Sequence, residues 1–284
     1  MKFNFSFYLL IILITVPLTS FQVSTNKYYE NNQELLNKIF NAIDNLKTLR
    51  YNLQCNERIR GRLQHTESKV KLQVSPRKLY LNIREIEVLW MEGMNNGNAL
   101  VNPGSFPYIN LNLDPAGSLM RKDQHHTIHE MGYVYLADII KHGLRNTTTI
   151  SNNFRVLGEE IYDNRACYKI ALSFPDFKWI PYTVQKNENL ISIARKLRIS
   201  EYMVLEKNTN ISGYNNVREG QIIQVPTSYA KLTLLLIDKE HLLPVNNKIF
   251  DDNGVFETYE YHNLQVNSFI NPEEFTKKYK DYKF

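Results

Sequence analysis

Residues 182–208 read YTVQKNENLISIARKLRISEYMVLEKN, and residues 217–226 read VREGQIIQVP. The opening Tyr182-Thr183-Val184 suits a short strand. Asn189 can cap a helix in which Leu190, Ile193, Ala194 and Leu197 form one stripe. Ser200 can cap a second, with Met203, Val204 and Leu205 inward and Asn208 near its stop. Gly220 permits a turn, and Ile222, Ile223 and Val225 make a second strand. Strand, helix, helix, strand in so short a stretch is a compact unit whose two strands can pair. Its ends then lie side by side, so it can replace a hairpin turn with little disturbance of its host.

The flanking sequence runs on other periods. Asn31-Asn32-Gln33-Glu34 leads into Leu35, Leu36, Ile39, Ile43 and Leu46, one apolar stripe at helical spacing. Leu49, Tyr51, Leu53 and Cys55 then alternate with polar residues. So do Val70, Leu72 and Val74, and Leu79, Leu81 and Ile83; Ile86, Val88 and Trp90 follow, before a turn at Asn95-Asn96-Gly97-Asn98. Consecutive strands with short turns predict an antiparallel sheet with one apolar face. From Pro103 to Asn153 the rhythm lapses. Leu111, Leu113, Asp114-Pro115 and Leu119-Met120 read as loop and a short helix, and Ile128 to Leu144 reads as a helix that stops near Gly143 and covers the sheet. Strands resume at Phe154–Ile161, turn at Asp163-Asn164, return through Cys167 to Leu172, and break at Pro175. They reappear at Lys231–Ile237 and Asn246–Phe250, turn at Asp251–Gly254, and alternate strictly over Val255–Leu264. Asn271-Pro272-Glu273-Glu274-Phe275 opens a last helical turn. The fold class is α+β, with the small β-α-α-β unit inserted in a hairpin.

The amino terminus predicts export. Met1-Lys2 is followed by the apolar run Phe7–Val16, then Pro17 and the small polar Thr19, Ser20 and Ser24, the order of a secretory signal over residues 1–22. Leu18 fits poorly for cleavage after Ser20, so retention as an anchor stays an alternative. A net charge of +5 is modest and dispersed. Its densest cluster, Lys277 to Lys283, reads as a solvated tail, so nucleic acid is not an expected partner. Export permits a disulfide between Cys55 and Cys167; two small buried hydrophobes is the other reading.

Three features of residues 182–226 resemble the LysM family at its spacing: Tyr182-Thr183-Val184, Leu190-x-x-Ile193-Ala194, and Gly220-Gln221-x-Ile223-x-Val225-Pro226. The resemblance implies binding of N-acetylglucosamine-containing glycan, peptidoglycan above all, in a shallow groove between two loops. Onto this chain it maps Asn187, Glu188, Asn189 and Leu190 on one side, and Tyr214, Asn215, Asn216 and Val217 on the other. Asn amides suit acetamido groups, and Leu and Tyr suit sugar faces. The family's usual Gly-Asp-Thr is replaced here by Asn187-Glu188-Asn189. Asn tolerates the left-handed backbone that such a turn needs, while glycan preference follows the altered loop.

The ending, Leu234–Ile237, Leu243-Pro244, Asp252-Asn253-Gly254, Glu257–Tyr261 and Asn267–Phe275, is similar to the LolA-like outer-membrane lipoprotein carriers. The middle, Leu113-Asp114-Pro115-Ala116-Gly117 to His129-Glu130-Met131-Gly132, resembles an uncharacterised family of exported bacterial proteins grouped with that architecture. These resemblances imply a curved antiparallel sheet, a half-barrel capped by helices, spanning residues 27–178 and 229–284 around a LysM domain at 180–227. Its interior would be an apolar cavity for acyl chains or a closed core. The expected function is exported, periplasmic or envelope-located glycan binding; a lipid or lipoprotein carrier with LysM supplying location is the alternative.

His125, His126, His129 and Glu130 form the one cluster with metal-ligand character. Their spacing is not the His-Glu-x-x-His of zinc hydrolases, so they read as polar residues at a helix entry, with no metal or other cofactor. Glu159-Glu160 and Asp251-Asp252 are adjacent in strands and point to opposite faces. No catalytic residue is assigned, and the chain is not read as an enzyme.

Overall fold

Burial of the host strands follows the parity of their apolar residues, and that parity sets which side of the sheet the helices cover. The computed structural model describes residues 32–106, 108–145 and 153–284. The expected export signal lies outside these. Helix α1 (Asn32–Asp44) precedes β1 (Thr48–Ile59), β2 (Arg62–Gln73), β3 (Lys78–Ile83), β4 (Ile86–Met91), β5 (Ala99–Asn102) and β6 (Leu111–Leu113). Then come α2 (Val134–Arg145), β7 (Phe154–Tyr162) and β8 (Arg165–Ser173). The insert holds β9 (Trp179–Thr183), α3 (Leu190–Leu197), α4 (Glu201–Lys207) and β10 (Ile222–Pro226). Strands β11 (Leu232–Asp238), β12 (Pro244–Asp251) and β13 (Gly254–Val266) close the chain. Residues Asn31–Phe284 form one compact unit.

The host is a curved, open, antiparallel sheet of eleven strands in the order β6-β5-β4-β3-β2-β1-β13-β12-β11-β8-β7. Leu49, Leu72, Leu79 and Ile170 are fully buried in its core with Leu36 and Ile39 of α1 and Ala137 and Ile140 of α2. Each such side chain contributes ~1.5–3 kcal/mol relative to exposure. At the β7–β8 turn Asp163 and Asn164 both take positive φ, 48° and 60°, the geometry that matches strand twist in a tight hairpin. On the outer face Arg50 and Lys71 hold Glu274 at 2.6 and 2.7 Å, which pins the last helical turn to β1 and β2. Among the described residues no helix is long and apolar enough to cross a membrane.

Two sequence expectations are corrected, and the open question of the two cysteines is decided against a bridge. The helix over Ile128–Leu144 is two pieces. Thr127 and Glu130 close a capping box around a 3-10 turn at Ile128–Glu130, and Gly132, at φ 89°, redirects the chain before α2. A Cβ there would come 2.8 Å from Leu72 Cδ2, so glycine lets this segment pass close over β2. Leu111–Leu113, expected as loop, adds to the sheet edge against β5. Cys55 and Cys167 are both free. They stand on β1 and β8, with β13, β12 and β11 between. At a strand spacing near 4.8 Å that is roughly 19 Å, beyond any disulfide's reach.

The insertion occurs as its geometry requires. β8 and β11 pair directly, with Ser173 opposite Leu232, and the Phe174 N–H donates to the Lys231 carbonyl at 2.9 Å. Between them β9 and β10 form a separate two-stranded sheet; the first strand starts at Trp179, three residues before the expected Tyr182. The side chain of Asn189 accepts from the Ser192 N–H, with the reciprocal Ser192 contact closing the box, and the side chain of Ser200 accepts from the Met203 N–H. Asn208 ties α4 to β10 by donating to the Val204 and Gln224 carbonyls at 2.7 and 2.8 Å.

The insert is fastened to its host rather than tethered. Tyr202 and Met203 of α4 pack with Ile59, Tyr229, Ala230, Ile249 and Phe256 of the host. Arg58 donates to Asp251 at 3.0 Å, with a second contact to the same carboxylate, and to Glu206 of α4 at 2.9 Å. Arg121 pairs with Glu201 at 2.7 Å. Breaking a buried ion pair by removing one partner leaves an uncompensated charge. Arg58→Ala is therefore expected to lower unfolding stability by ~3 kcal/mol, read from urea denaturation, whereas Arg62→Ala on the exposed hairpin should stay within ~0.5 kcal/mol.

Candidate functional site

The register of β1 and β13 places Glu57 directly opposite Glu257. Like charges facing each other across neighbouring strands repel, and both residues are buried. The structure answers with donors. His125, fully buried, presents Nδ1 to Glu257 at 2.7 Å, and its own N–H donates to Glu57 at 3.1 Å. Its Nε2 faces the Arg58 carbonyl at 2.9 Å. Tyr259 donates to Glu57 at 2.6 Å, and Tyr229 donates to Glu257 at 2.7 Å. His126 Nε2 lies 3.0 Å from the Tyr229 hydroxyl and 3.4 Å from Glu257. The His125 ring is stacked between Phe256 and Tyr202, at centroid distances of 4.2 and 4.5 Å. Tyr202 belongs to the insert, so the cluster reaches both parts of the molecule.

Electrostatics follow from this packing. Burial alone would hold the His126 imidazole down, but the adjacent Glu257 carboxylate, with Glu130 and Glu57 beyond, pushes it up to about 10. Burial also opposes ionisation of Glu257, yet His126 and His125 hold it well below the usual carboxylate range. Burial with Glu57 and Glu257 nearby pushes the Cys55 thiol up to about 12, which removes its nucleophilic form at neutral pH. Glu57, His125 and Glu257 offer ligand atoms within 4.8 Å of one another, a spacing that a cation can use. Each of these groups is also engaged by protein hydrogen bonds, so the cluster stands without a cation.

Beside the cluster the sheet and α2 enclose a cavity of about 860 Å³, within the range of pockets that take a small molecule. Leu53, Leu81, Leu136, Ile139 and Tyr261 supply apolar wall, and Glu57, Glu257, His126, Tyr229 and Tyr259 make its polar end. The host thus holds a cavity beside its packed core. Exposed Arg84, Glu85 and Lys122 stand at its mouth. A neighbouring cavity of about 240 Å³ lies where α2 meets the insert, lined by Leu136, Phe174, Leu197 and Tyr229.

On the insert, the two expected groove loops do meet. The Asn189 side chain donates to Asn215 at 2.8 Å, and the Leu190 N–H donates to the Tyr214 carbonyl at 2.9 Å. Asn187 takes a left-handed φ of 63°, as its place in the turn required. The eight mapped residues are not equally available. Leu190 is fully buried. Glu188 accepts from Tyr182, Lys196 and the Gln185 N–H, and so belongs to the loop's own framework. The ring of Tyr214 lies under the Arg121 guanidinium at 4.2 Å. Asn187, Asn215 and Asn216 remain exposed, with Asn189 and Val217 half-buried beside them.

Two family models match this sequence. One, described as a protein of unknown function (DUF1571), covers residues 47–190, more than half of the 284 residues. The chain belongs to the DUF1571 family. The other is the LysM domain, at residues 182–226, so the β9-to-β10 unit is a LysM domain. The DUF1571 match ends at α3; strands β11–β13 lie beyond it although they share its sheet. No curated protein matches the sequence. Similar solved structures include the lipoprotein LppX of Mycobacterium tuberculosis, with 12% identity, 85% of this chain and 99% of that chain covered, and a TM-score of 0.41. A DUF1329 family protein from Desulfovibrio piger has 9% identity, coverages of 86% and 95%, and a TM-score of 0.34. A putative outer membrane lipoprotein-sorting protein domain from Vibrio parahaemolyticus has 8% identity, coverages of 87% and 98%, and a TM-score of 0.31. The architecture of this chain stands on its own strand order and register.

Sequence reading placed His125 and His126 at a helix entry among ordinary polar residues. The structure corrects this: the segment packs against β1 and β13, and His125 is buried against Glu57 and Glu257, which those two paired strands bring together. One signal was present. Glu57 continues the inward parity of Leu49, Tyr51, Leu53 and Cys55, and Glu257 shares that of Tyr259 and Tyr261, so each put a charge on an apolar face. His129 stays exposed, edge-on to Trp90.

The His126–Glu257 attraction has a defined pH window. The His126 contribution is complete below its ordinary value of 6.5 and is lost as pH rises through about 10. The Glu257 contribution is present above 4.5 and is lost as pH falls below it. The difference in Tm between the native chain and His126→Asn should therefore be widest between pH 4.5 and 6.5 and narrow toward pH 10. A pH-independent difference by scanning calorimetry would refute the pairing.

Proposed function

We propose that this is an exported, non-catalytic binding protein of the cell envelope whose LysM domain holds N-acetylglucosamine-containing glycan, such as peptidoglycan. The supporting observation is the joined pair of loops, whose exposed edge is made of the Asn187, Asn215 and Asn216 amides. Side-chain amides exchange hydrogen bonds with acetamido groups in both directions. The apolar run and Pro17 break at the amino terminus support export. Among the described residues the pushed-up Cys55 and the fully engaged Glu57–His125–Glu257 group favour a binding role over a nucleophilic one.

A second reading concerns the host. Its cavity of about 860 Å³ has apolar walls and a polar end, which suits an acyl-bearing lipid or lipoprotein, with LysM supplying location. The two readings are compatible, because groove and cavity are separate sites.

Co-sedimentation of residues 31–284 with purified peptidoglycan tests the glycan reading. The native chain should pellet, and Asn187→Ala/Asn215→Ala/Asn216→Ala should bind at least tenfold more weakly, given ~0.5–1.5 kcal/mol for each hydrogen bond lost. Equal pelleting of both, or of neither, rejects it. Point substitutions are preferred to deletion of the insert, which would uncover Phe256, remove Glu206 from Arg58 and leave the buried Arg121 without its carboxylate partner. Native mass spectrometry of gently purified protein tests the second reading; a consistently empty host rejects it.

A further inference from the structure

The segment between β5 and β6 carries the most exposed apolar residues near the cavity mouth. Phe106, Tyr108 and Ile109 are 86%, 72% and 59% exposed, and the Phe106 and Tyr108 rings meet edge to face at 6.4 Å. Exposed aromatic and aliphatic side chains in one short segment are a feature of surfaces that meet an apolar partner. The segment's position is determined by pairing. Asn102 lies opposite Glu87, so the chain leaves β5 beside the β3–β4 turn. Gly104 packs so tightly on Glu85 that a Cβ would overlap its carbonyl oxygen. Glu85 and its neighbours Arg84 and Ile86 line the cavity, and Ile86 is itself exposed. The apolar segment therefore flanks the opening.

The charges around that opening are asymmetric. Glu85 is paired with Lys283 at 3.5 Å, and Asp123 with Arg60 at 3.4 Å. Arg62, Arg84 and Lys122 are exposed and have no carboxylate partner among the described residues. Two of them, Arg84 and Lys122, line the mouth. Apolar side chains that protrude beside unpaired cations match one occupant in both respects: an anionic lipid surface, which accepts rings and aliphatic groups at headgroup depth and attracts Lys and Arg.

We propose that the mouth of the host cavity docks on an anionic lipid bilayer, with Phe106, Tyr108 and Ile109 entering the interface and Arg62, Arg84 and Lys122 contacting headgroup phosphates. Docking in this orientation presents the cavity opening to the lipid, and in that purpose the proposal rests on the acyl-ligand reading of the host. The LysM asparagines are not among the residues that line the cavity.

Flotation of residues 31–284 with vesicles tests it, since this unit lacks the apolar residues 7–16, which would bind lipid on their own account. Vesicles of phosphatidylcholine with a third phosphatidylglycerol are compared with phosphatidylcholine alone. The native chain should float with the anionic vesicles and partition about tenfold more weakly to the zwitterionic ones. Phe106→Ser/Tyr108→Ser/Ile109→Ser, which alters only exposed side chains, should lose at least tenfold of the anionic binding with an unchanged circular dichroism spectrum. Arg84→Gln/Lys122→Gln is an independent variant and should remove the preference for anionic lipid. Failure of the native chain to float, or equal flotation of the apolar variant, overturns the proposal; a protein partner for the same surface would then be indicated. Flotation as expected with a host consistently empty in native mass spectrometry keeps the docking surface and rejects the acyl-ligand reading. An acyl-loaded host that does not float does the reverse.

Discussion

Two carboxylates are forced together by strand register, and much of the molecule is arranged around them. Glu57 and Glu257 face each other across β1 and β13 in a buried site, an arrangement that repels unless donors fill it. His125, His126, Tyr229 and Tyr259 supply those donors. To bring the histidines in, residues 121–127 must pack against β1 and β13, and the Thr127 capping box and Gly132 then return the chain to α2. The course of the segment that walls the cavity is thus tied to satisfying one pair of charges.

The same segment decides how the LysM domain sits. Arg121 reaches Glu201 and covers Tyr214, and the His125 ring meets Tyr202. From the other side Arg58 joins Asp251 of the host to Glu206 of α4. An insert whose two ends leave neighbouring strands needs no further contact to be tolerated. These buried pairs go beyond that need and hold the two joined LysM loops in one orientation relative to the cavity. A LysM domain fixed in this way turns with its host as one body. The cost appears in the groove itself: Tyr214, an expected sugar platform, has one ring face occupied by a host arginine.

The polar end of the cavity is equally specific in its chemistry. The tyrosines there are pushed upward by burial and neighbouring carboxylates, and so remain hydrogen-bond donors across the physiological range. Cys55 remains a thiol for the same reasons. The Tyr229 and Tyr259 protons are held by Glu257 and Glu57, so the polar end of the cavity is a closed hydrogen-bond network facing the apolar wall of Leu53, Leu81 and Ile139.

How much of this was legible in the sequence depends on whether the deciding interaction is local. Strand parity, the Asp163-Asn164 turn, the Asn189 and Ser200 caps and the spacing of Tyr182, Leu190 and Gly220 are short-range features, and the strands, helices and LysM insertion follow from them. The inward parity of Glu57 was also visible, though not its partner. Only tertiary structure decided that Glu57 meets Glu257, because a register between β1 and β13 joins residues separated by almost the whole host. It likewise decided that Cys55 and Cys167 stand too many strands apart to bond, that His125 is buried while His129 is not, and that Leu190 and Tyr214 are largely withdrawn from the groove. Local propensity sets which elements form. The contacts between elements, each dependent on long-range register and on the insert's docking, set which polar groups are left facing a ligand.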